Sequence, residues 1–323
     1  MRVLYKSVLL LVSFMLLSVS IAWTAAQREA EAVEDYPSRP IQLIVPANPG
    51  GGTDVSARLL AKYLTPLLDT QVVITNMPGA GGTIAQDYVL DSDPDGYTVF
   101  YFHEAFVANR VHGLTDTTMR DDFATVGGAF LVDTVCLYSK DFETWDDMVA
   151  AAEEREVLFG SEVGAAFHIA FEAMKAGLGL DNLRFIDTGA VTPTLAAMEG
   201  DQIDIAMVPM GIIRDSVEAD HLNVLAFLST RERSSLAPDV PTMTELGVDV
   251  YMPKFFHLQL PPDTPQELVQ KLRAAVREAA EDPLIAEEAR EIFFTAQYLS
   301  PEEVYEMADA VYELMTEFAE AAR

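Results

Sequence analysis

The residues of this chain best placed to do chemistry are two glycine-bearing turns. Pro49-Gly50-Gly51-Gly52-Thr53-Asp54 follows the apolar run Ile41–Ala47, and Pro78-Gly79-Ala80-Gly81-Gly82 follows Gln71–Met77. Glycines let a backbone turn sharply and leave its N–H groups unshielded. A helix opening straight after the turn adds unpaired N–H donors and the positive end of its dipole. The first helix is expected to open at Thr53 or Asp54, and the second to be capped by Thr83. Each turn is therefore a seat for a carboxylate or phosphate. A third turn of the same construction, Val157–His168, lies in the second half of the chain.

Other chemistries fit the residues less well. Gly50–Asp54 lacks the Lys-Ser/Thr of an ATP-type phosphate loop, and Gly79–Ile84 lacks the third glycine of a dinucleotide fingerprint. His103, His112, His168, His221 and His257 show no metal-ligand spacing, so no metal is expected. Ser161 lacks the glycine frame of a nucleophile elbow, and Cys136, the single cysteine, reads as core. A hydrolase using Ser161, or Glu104 and Glu162 as acid and base, remains a competing class.

The elements that must position these turns alternate along the chain. Strands are expected at Ile41–Ala47, Gln71–Met77, Tyr97–Phe102, Asp133–Ser139, Val157–Gly160, Leu183–Asp187, Ile203–Val208 and Leu222–Leu228. Helices are expected at Asp54–Leu68, Thr83–Leu90, Trp145–Glu154, Ala165–Leu178, Thr192–Glu199, Ile212–Ala219, Thr264–Glu281 and Pro301–Ala322. Apolar runs without alternation imply mostly parallel sheets covered on both faces by helices. The expected fold is α/β in two lobes: residues 36–132 and 252–323 form the first and residues 133–251 the second, with Gln259–Pro262 carrying the chain back. Ligands on such sheets sit beyond the carboxyl ends of the strands.

Met1–Ala26 reads as a signal peptide: Arg2 and Lys6 precede an apolar run, and Thr24-Ala25-Ala26 offers a cleavage site. Its apolar run is about 16 residues, short of the roughly 20 of a spanning helix, with a retained anchor as the alternative. Export without disulfides fits a bacterial envelope protein with a large core. The formal net charge of −30 repels nucleic acid and anionic lipid. It also opposes small anions at long range, but salt screens over about 8–10 Å while a donor-lined pocket works at contact.

Tyr36–Ile41 (YPSRPI), Pro49–Asp54 (PGGGTD), Asn76–Gly82 (NMPGAGG), Asp95–Thr98 (DGYT), Gly160-Ser161 with His168, Gly200–Asp204 (GDQID) and Arg233–Glu245 follow in an order that resembles the periplasmic solute-binding proteins of tripartite tricarboxylate transporters, the Bug family. The resemblance covers Tyr36 to the C-terminus. It implies a monomeric type II periplasmic binding protein that closes over a small organic acid or amino acid and delivers it to membrane permease subunits, without catalysis or cofactor. A receptor that signals to a membrane kinase would share the fold.

By position, the resemblance implies that backbone at Asn48, Pro49, Gly50, Gly51 and Thr53 and at Gly79, Ala80, Gly81 and Gly82 holds one carboxylate. From the second lobe, Ser161, Glu162, Gly164, Ala165, Ala166, Thr188 and Gly189 would meet the other end. Asp204 would line or brace the cleft, and Phe256 would form a wall. Relatives usually carry small hydroxyl or glycine residues near Glu104-Ala105 and Ser161–Ala165, whereas two carboxylates stand here. Were Glu104 and Glu162 to face the cleft, a second ligand carboxylate would be repelled. The expected ligand then has one carboxylate and a cationic or hydrogen-bond-donating far end.

Overall fold

The computed structural model describes residues 36–163 and 165–319. The expected signal peptide, the stretch after it and Gly164 lie outside these residues. The chain forms β1 (Ile41–Val45), α1 (Gly52–Leu67), β2 (Val72–Asn76), α2 (Thr83–Leu90), β3 (Thr98–His103), α3 (Ala105–Val111) and β4 (Ala124–Leu131). It continues through β5 (Val135–Ser139), α4 (Trp145–Glu154), β6 (Val157–Ser161), α5 (Ala166–Leu178), β7 (Leu183–Asp187), α6 (Val191–Glu199), β8 (Ile205–Pro209), α7 (Met210–Glu218) and β9 (Asn223–Phe227). The last part is β10 (Phe255–Leu260), α8 (Gln266–Glu281), α9 (Pro283–Glu291), β11 (Thr295–Leu299) and α10 (Pro301–Phe318).

Two sheets result, ordered β11-β4-β10-β3-β1-β2 and β7-β6-β8-β5-β9. Strand alternation sends Leu43 and Tyr101 to one face of the first sheet, where they join Leu60 of α1 and Val276 of α8. Ile44, Phe100 and Phe102 go to the other face and meet Val89, Phe106 and Met315. In the second sheet Leu137 and Phe159 pack on Met148 and Phe171, while Cys136, Ala206 and Val208 pack on Met198 and Ile213. Each fully buried Phe contributes about 1.5–3 kcal/mol. The sheets thus hold the strand ends rigidly.

Both sheets are mixed, which corrects the expectation of mostly parallel ones. β1 runs parallel to β2 and β3, but β10 is antiparallel to β3 and β4, and β11 to β4. β6 runs parallel to β7 and β8, but β5 is antiparallel to β8 and β9. The cause is topological. The chain crosses between lobes at their facing edges, so β5 and β10 begin where β1, β3, β6 and β8 end. β10 is buried along its whole length, so full burial did not distinguish its direction.

Gln259 and Leu260, expected to carry the chain back, are the buried end of β10. The return lies earlier: Val132 N–H donates to Lys254 O (2.8 Å) and Met252 N–H to Leu228 O (2.8 Å), placing the two crossing segments side by side. Asp133 fastens the crossing, accepting from Ser234 Oγ (2.8 Å) and Thr295 Oγ1 (3.0 Å). On the other flank, Ile169 of α5 packs into the cluster of Val304, Val311 and Met315 of α10, so the last helix touches both lobes.

Candidate functional site: facing strand ends with open helix starts

The register puts Val45 beside Asn76 and Ile44 beside Phe100, so the turns after β1, β2 and β3 leave one edge together. Gly82 (φ 99°) lies against that edge: a Cβ there would come within 2.9 Å of the Phe102 ring and 3.2 Å of Pro46. Only glycine lets the second turn sit this close to the first. In the second lobe Ser161 pairs with Asp187 and Gly160 with Ala206, so the turns after β6, β7 and β8 also share an edge.

The helices that start at these edges have no side-chain cap: α1 follows Gly51, α2 Gly82, α5 Ala165, α6 Ala190 and α7 Pro209. Helices starting elsewhere are closed by Thr144 (α4), Asp282 (α9) and Ser300 (α10), while α8 opens on Pro265. The opening N–H groups of the cleft helices, such as those of Gly52 and Thr53 or of Ala166 and Phe167, have no partner within their helix. Two expectations change here. α1 opens at Gly52 rather than Thr53, and Thr83 is the first residue of α2 rather than its cap, its hydroxyl donating to Ala80 O (2.9 Å).

Several expected donors are used inside their own loops. Gly50 N–H donates to Asp54 Oδ2 (2.8 Å), Gly51 N–H to Asn48 O (3.2 Å) and Gly82 N–H to Gly79 O (2.8 Å). Thr188 N–H donates to Ser161 O (2.9 Å) and Gly189 N–H to Asp187 Oδ1 (3.1 Å). Asn48, Pro49, Gly79, Ala80 and Gly81 are exposed on the turns, and Gly81 O accepts from Asn109 Nδ2 (2.8 Å). These N–H groups are satisfied within the turns, so the N–H groups left open at this edge are those of the helix starts.

Asp54 organises the first turn. Its carboxylate accepts from Gly50 N–H, Arg58 Nε (2.9 Å) and Asn76 Nδ2 (2.8 Å), and Asn76 also donates to Ala47 O (3.0 Å). The hydrogen bond from Arg58 outweighs burial and holds its pKa down at about 2. Of the two roles expected of Asp204, lining or bracing, the structure shows bracing. Its carboxylate accepts from Leu158 N–H (2.7 Å) and Arg155 Nη2 (2.8 Å), at the opposite end of β6 from Ser161 and so about 10 Å from the cleft edge. It braces the sheet.

Glu104 is corrected. Lys254 Nζ donates to its Oε1 at 2.7 Å, which neutralises the charge expected to repel a second carboxylate. Burial pushes the Glu104 pKa up, but the Lys254 charge outweighs it and leaves the group below the usual carboxylate range. Burial lowers the pKa of neighbouring His103, whose Nδ1 accepts the Ala105 N–H (3.2 Å) and so has no proton to give Glu104 Oε2. Glu104 is therefore an ion-pair partner, not one half of an acid–base pair. Glu162 is exposed and, with Ser161, Ala165, Ala166 and Gly189, lines a recess of about 200 Å³ in the second lobe. His168 is buried and stacks on Phe185 (3.6 Å between centroids).

A larger recess, about 430 Å³, lies between the lobes. Gly52 and Thr53 of α1 border it on one side and Gly211, Ile212 and Arg214 of α7 on the other, with Lys254, Phe256, Phe293 and Phe294 between. Phe256 is both wall and core, being 1% exposed. Sequence reading missed Arg214, Lys254 and Phe293 because distant segments bring them together; only Lys254, beside Phe255-Phe256, carried a local hint. A groove of about 150 Å³ between α3 and α10 holds Arg110 and Arg120, but both guanidinium groups are committed to the rings of Tyr312 (4.5 Å) and Tyr305 (4.4 Å). Among the described residues, no cluster of three or more His, Cys, Asp or Glu could hold a metal ion.

Known proteins resemble this chain in sequence and fold. Residues 56–310 match the family model of the tripartite tricarboxylate transporter family receptor. A UPF0065 protein of Agrobacterium vitis is 31% identical over 266 residues, 80% of this chain and 76% of its own length. Protein BugT of Bordetella pertussis is 29% identical and covers 86% of each chain. The crystal structure of a TctC solute-binding protein from Polaromonas is 25% identical, with a TM-score of 0.78 over 88% of this chain and 99% of that one. With two lobes, facing strand ends and a family match over most of its length, this chain belongs to the tripartite tricarboxylate transporter receptor family, the TctC-like solute-binding proteins.

Proposed function

We propose that this chain is an exported receptor that captures a small organic acid between its lobes and presents the closed complex to the membrane permease of its transporter. One observation carries the reading: every helix that begins at the facing edges lacks a side-chain cap, whereas three of the four that begin elsewhere, α4, α9 and α10, carry one. A capping Ser or Asp there would occupy the place of the ligand's carboxylate. Backbone donors hold an anion without ordering flexible side chains and without leaving a buried charge when the site is empty.

The two lobes supply different donors, so a ligand touching both favours the closed state by its extra contacts there. Ile84, Val163 and Ile212, beside three of the open helix starts, are 51%, 51% and 53% exposed and would lose water on closure. Isothermal titration of the purified chain with succinate, malate and adipate should give saturable one-site binding. The acid should be recovered chemically unchanged, which also separates a receptor from a hydrolase. If none of these acids, nor any co-purified acid seen by native mass spectrometry, occupies the protein, the reading fails.

A further inference from the structure

The recess in the second lobe holds hydroxyl groups that the fold leaves unused. Tyr138, Ser161, Glu162, Ala166, Val191 and Thr194 are among the residues around its volume of about 200 Å³. The register sets Tyr138, Ala206 and Gly160 in one row across β5, β8 and β6, one residue back from Ser161 at the cleft edge. Tyr138 is 1% exposed and Ser161 6%. Neither hydroxyl has a hydrogen-bond partner among the described residues, and neither is sealed from open space as Tyr298 Oη is. Both therefore open on the recess that the two residues border. The Thr194 hydroxyl is spent instead: it shares a hydrogen bond with Thr188 Oγ1 (2.7 Å) and donates to Ala190 O (3.1 Å).

A buried tyrosine hydroxyl normally finds a partner, because an unpaired one forfeits the hydrogen bonds it made with water. These two hydroxyls stand beside the uncapped starts of α5 and α6. The N–H groups of Ala166 and Phe167 and of Val191 and Thr192 have no partner within those helices. Burial raises the Tyr138 pKa, so the phenol keeps its proton and can donate it to a hydrogen bond. The free groups at this end are thus donors, with one exception: the Glu162 carboxylate, exposed on its loop. A hydroxyl oxygen of a ligand meets the donors alone. A second carboxylate meets the donors together with the charge of Glu162.

We propose that Tyr138 is a specificity-determining residue of the acid site: with Ser161 and the starts of α5 and α6, it donates to an oxygen carried at the far end of the bound acid. The inference rests on the carboxylate reading above and adds the ligand's second half. The far end then accepts hydrogen bonds, whereas the sequence alone suggested one that donates them. Tyr138 lies inside a strand and outside the glycine-bearing turns, so nothing in its local sequence singled it out.

The test titrates the full chain with acids of equal carbon number that differ at the far end. One series is succinate, 4-hydroxybutanoate and butanoate; the other is adipate, 6-hydroxyhexanoate and hexanoate. In at least one series, the carboxylate-ended or hydroxyl-ended acid should bind about tenfold or more tighter than the methyl-ended one. Tyr138→Phe removes the hydroxyl and keeps the ring, so it should reduce that advantage about tenfold. Its ligand-free melting temperature should not fall, because no hydrogen bond within the protein is lost. Methyl-ended acids that bind as tightly as their oxygen-bearing counterparts in both series overturn the subsite and leave the carboxylate reading standing. An advantage that survives intact in Tyr138→Phe also overturns it. So does a lowered melting temperature with affinities unchanged, which would mark the hydroxyl as structural. Binding of no acid by the unaltered chain removes the carboxylate reading and the subsite with it.

Discussion

Asp54 lies in the turn expected to seat a ligand, yet its own carboxylate is spent on holding that turn in shape. Its buried carboxylate takes three donors and keeps the turn in the shape that exposes α1's first N–H groups. Asp54→Ala should therefore cost about 2–3 kcal/mol in denaturant melts, leaving the Gly50 N–H and Asn76 amide without their charged acceptor. Asp54 also gives a signed pH dependence. Its folded pKa is depressed to about 2, so its stabilisation is complete above the unfolded value near 3.9 and is lost as pH falls toward 2. In parallel melts between about pH 4 and pH 2, Asp54→Asn should lose less stability than the natural chain; equal slopes would remove the assignment. Glu104 and Lys254 behave as one unit, with side chains 17% and 23% exposed. Lys254→Met should destabilise by about 1–3 kcal/mol by leaving a carboxylate uncompensated, and Glu104→Gln in the same chain should restore much of it.

At the level of elements, open and capped helix starts predict opposite effects on binding and stability. Ser300 and Glu303 form a capping box at α10, so Ser300→Ala should cost about 1 kcal/mol and leave acid binding unchanged. Gly51→Asp should do the reverse. Gly51 has φ −74° and ψ 163°, ordinary for any residue, and an added Cβ would have only Asn48 O near it at 3.4 Å. The new carboxylate would cap α1, raise stability by about 0.5–1 kcal/mol and fill the anion seat, weakening an acid ligand by tenfold or more. Thermal melts and titrations on the same preparations separate the two effects. A Gly51→Asp chain that binds its acid normally would show that α1's start is not the seat.

For the whole molecule, the formal charge of −30 and a seat for an anion coexist because they act over different distances. Raising salt from about 0.01 M to 0.15 M shortens screening from about 30 Å to 8 Å. The association rate of an acid ligand, measured by stopped flow, should therefore rise with salt, opposite to the behaviour of a cation-lined site. A rate that falls would mean that local positive charge dominates capture. Closure has its own readout: at about 100 times its dissociation constant, a ligand that binds only the folded state adds about 2.7 kcal/mol of stability. Small-angle scattering should show a smaller radius of gyration in the same samples.

Local pattern alone determined much of this protein. The strand-turn-helix units around Ile41–Leu67, Val72–Leu90, Val157–Leu178 and Leu183–Glu199 are visible because each apolar run ends in glycine or alanine and restarts with helical spacing. The order of those units and their turn residues was enough to place the chain in its family. Tertiary structure alone decided the rest. Gly128 in β4, His257 and Gln259 in β10, and Gln297 in β11 hid the antiparallel strands, and the pairing of β10 with β4 is set by a crossing more than a hundred residues long. The loops declared an anion seat, but which amides stay open depends on where Asp54, Asn48 and Gly79 turn, and the charge at Glu104 depends on Lys254, 150 residues away. The wall of Phe293 and Gly211 belongs to two lobes at once. Periodicity reports which face of an element is buried; it carries no record of which distant side chain completes a charge or closes a pocket.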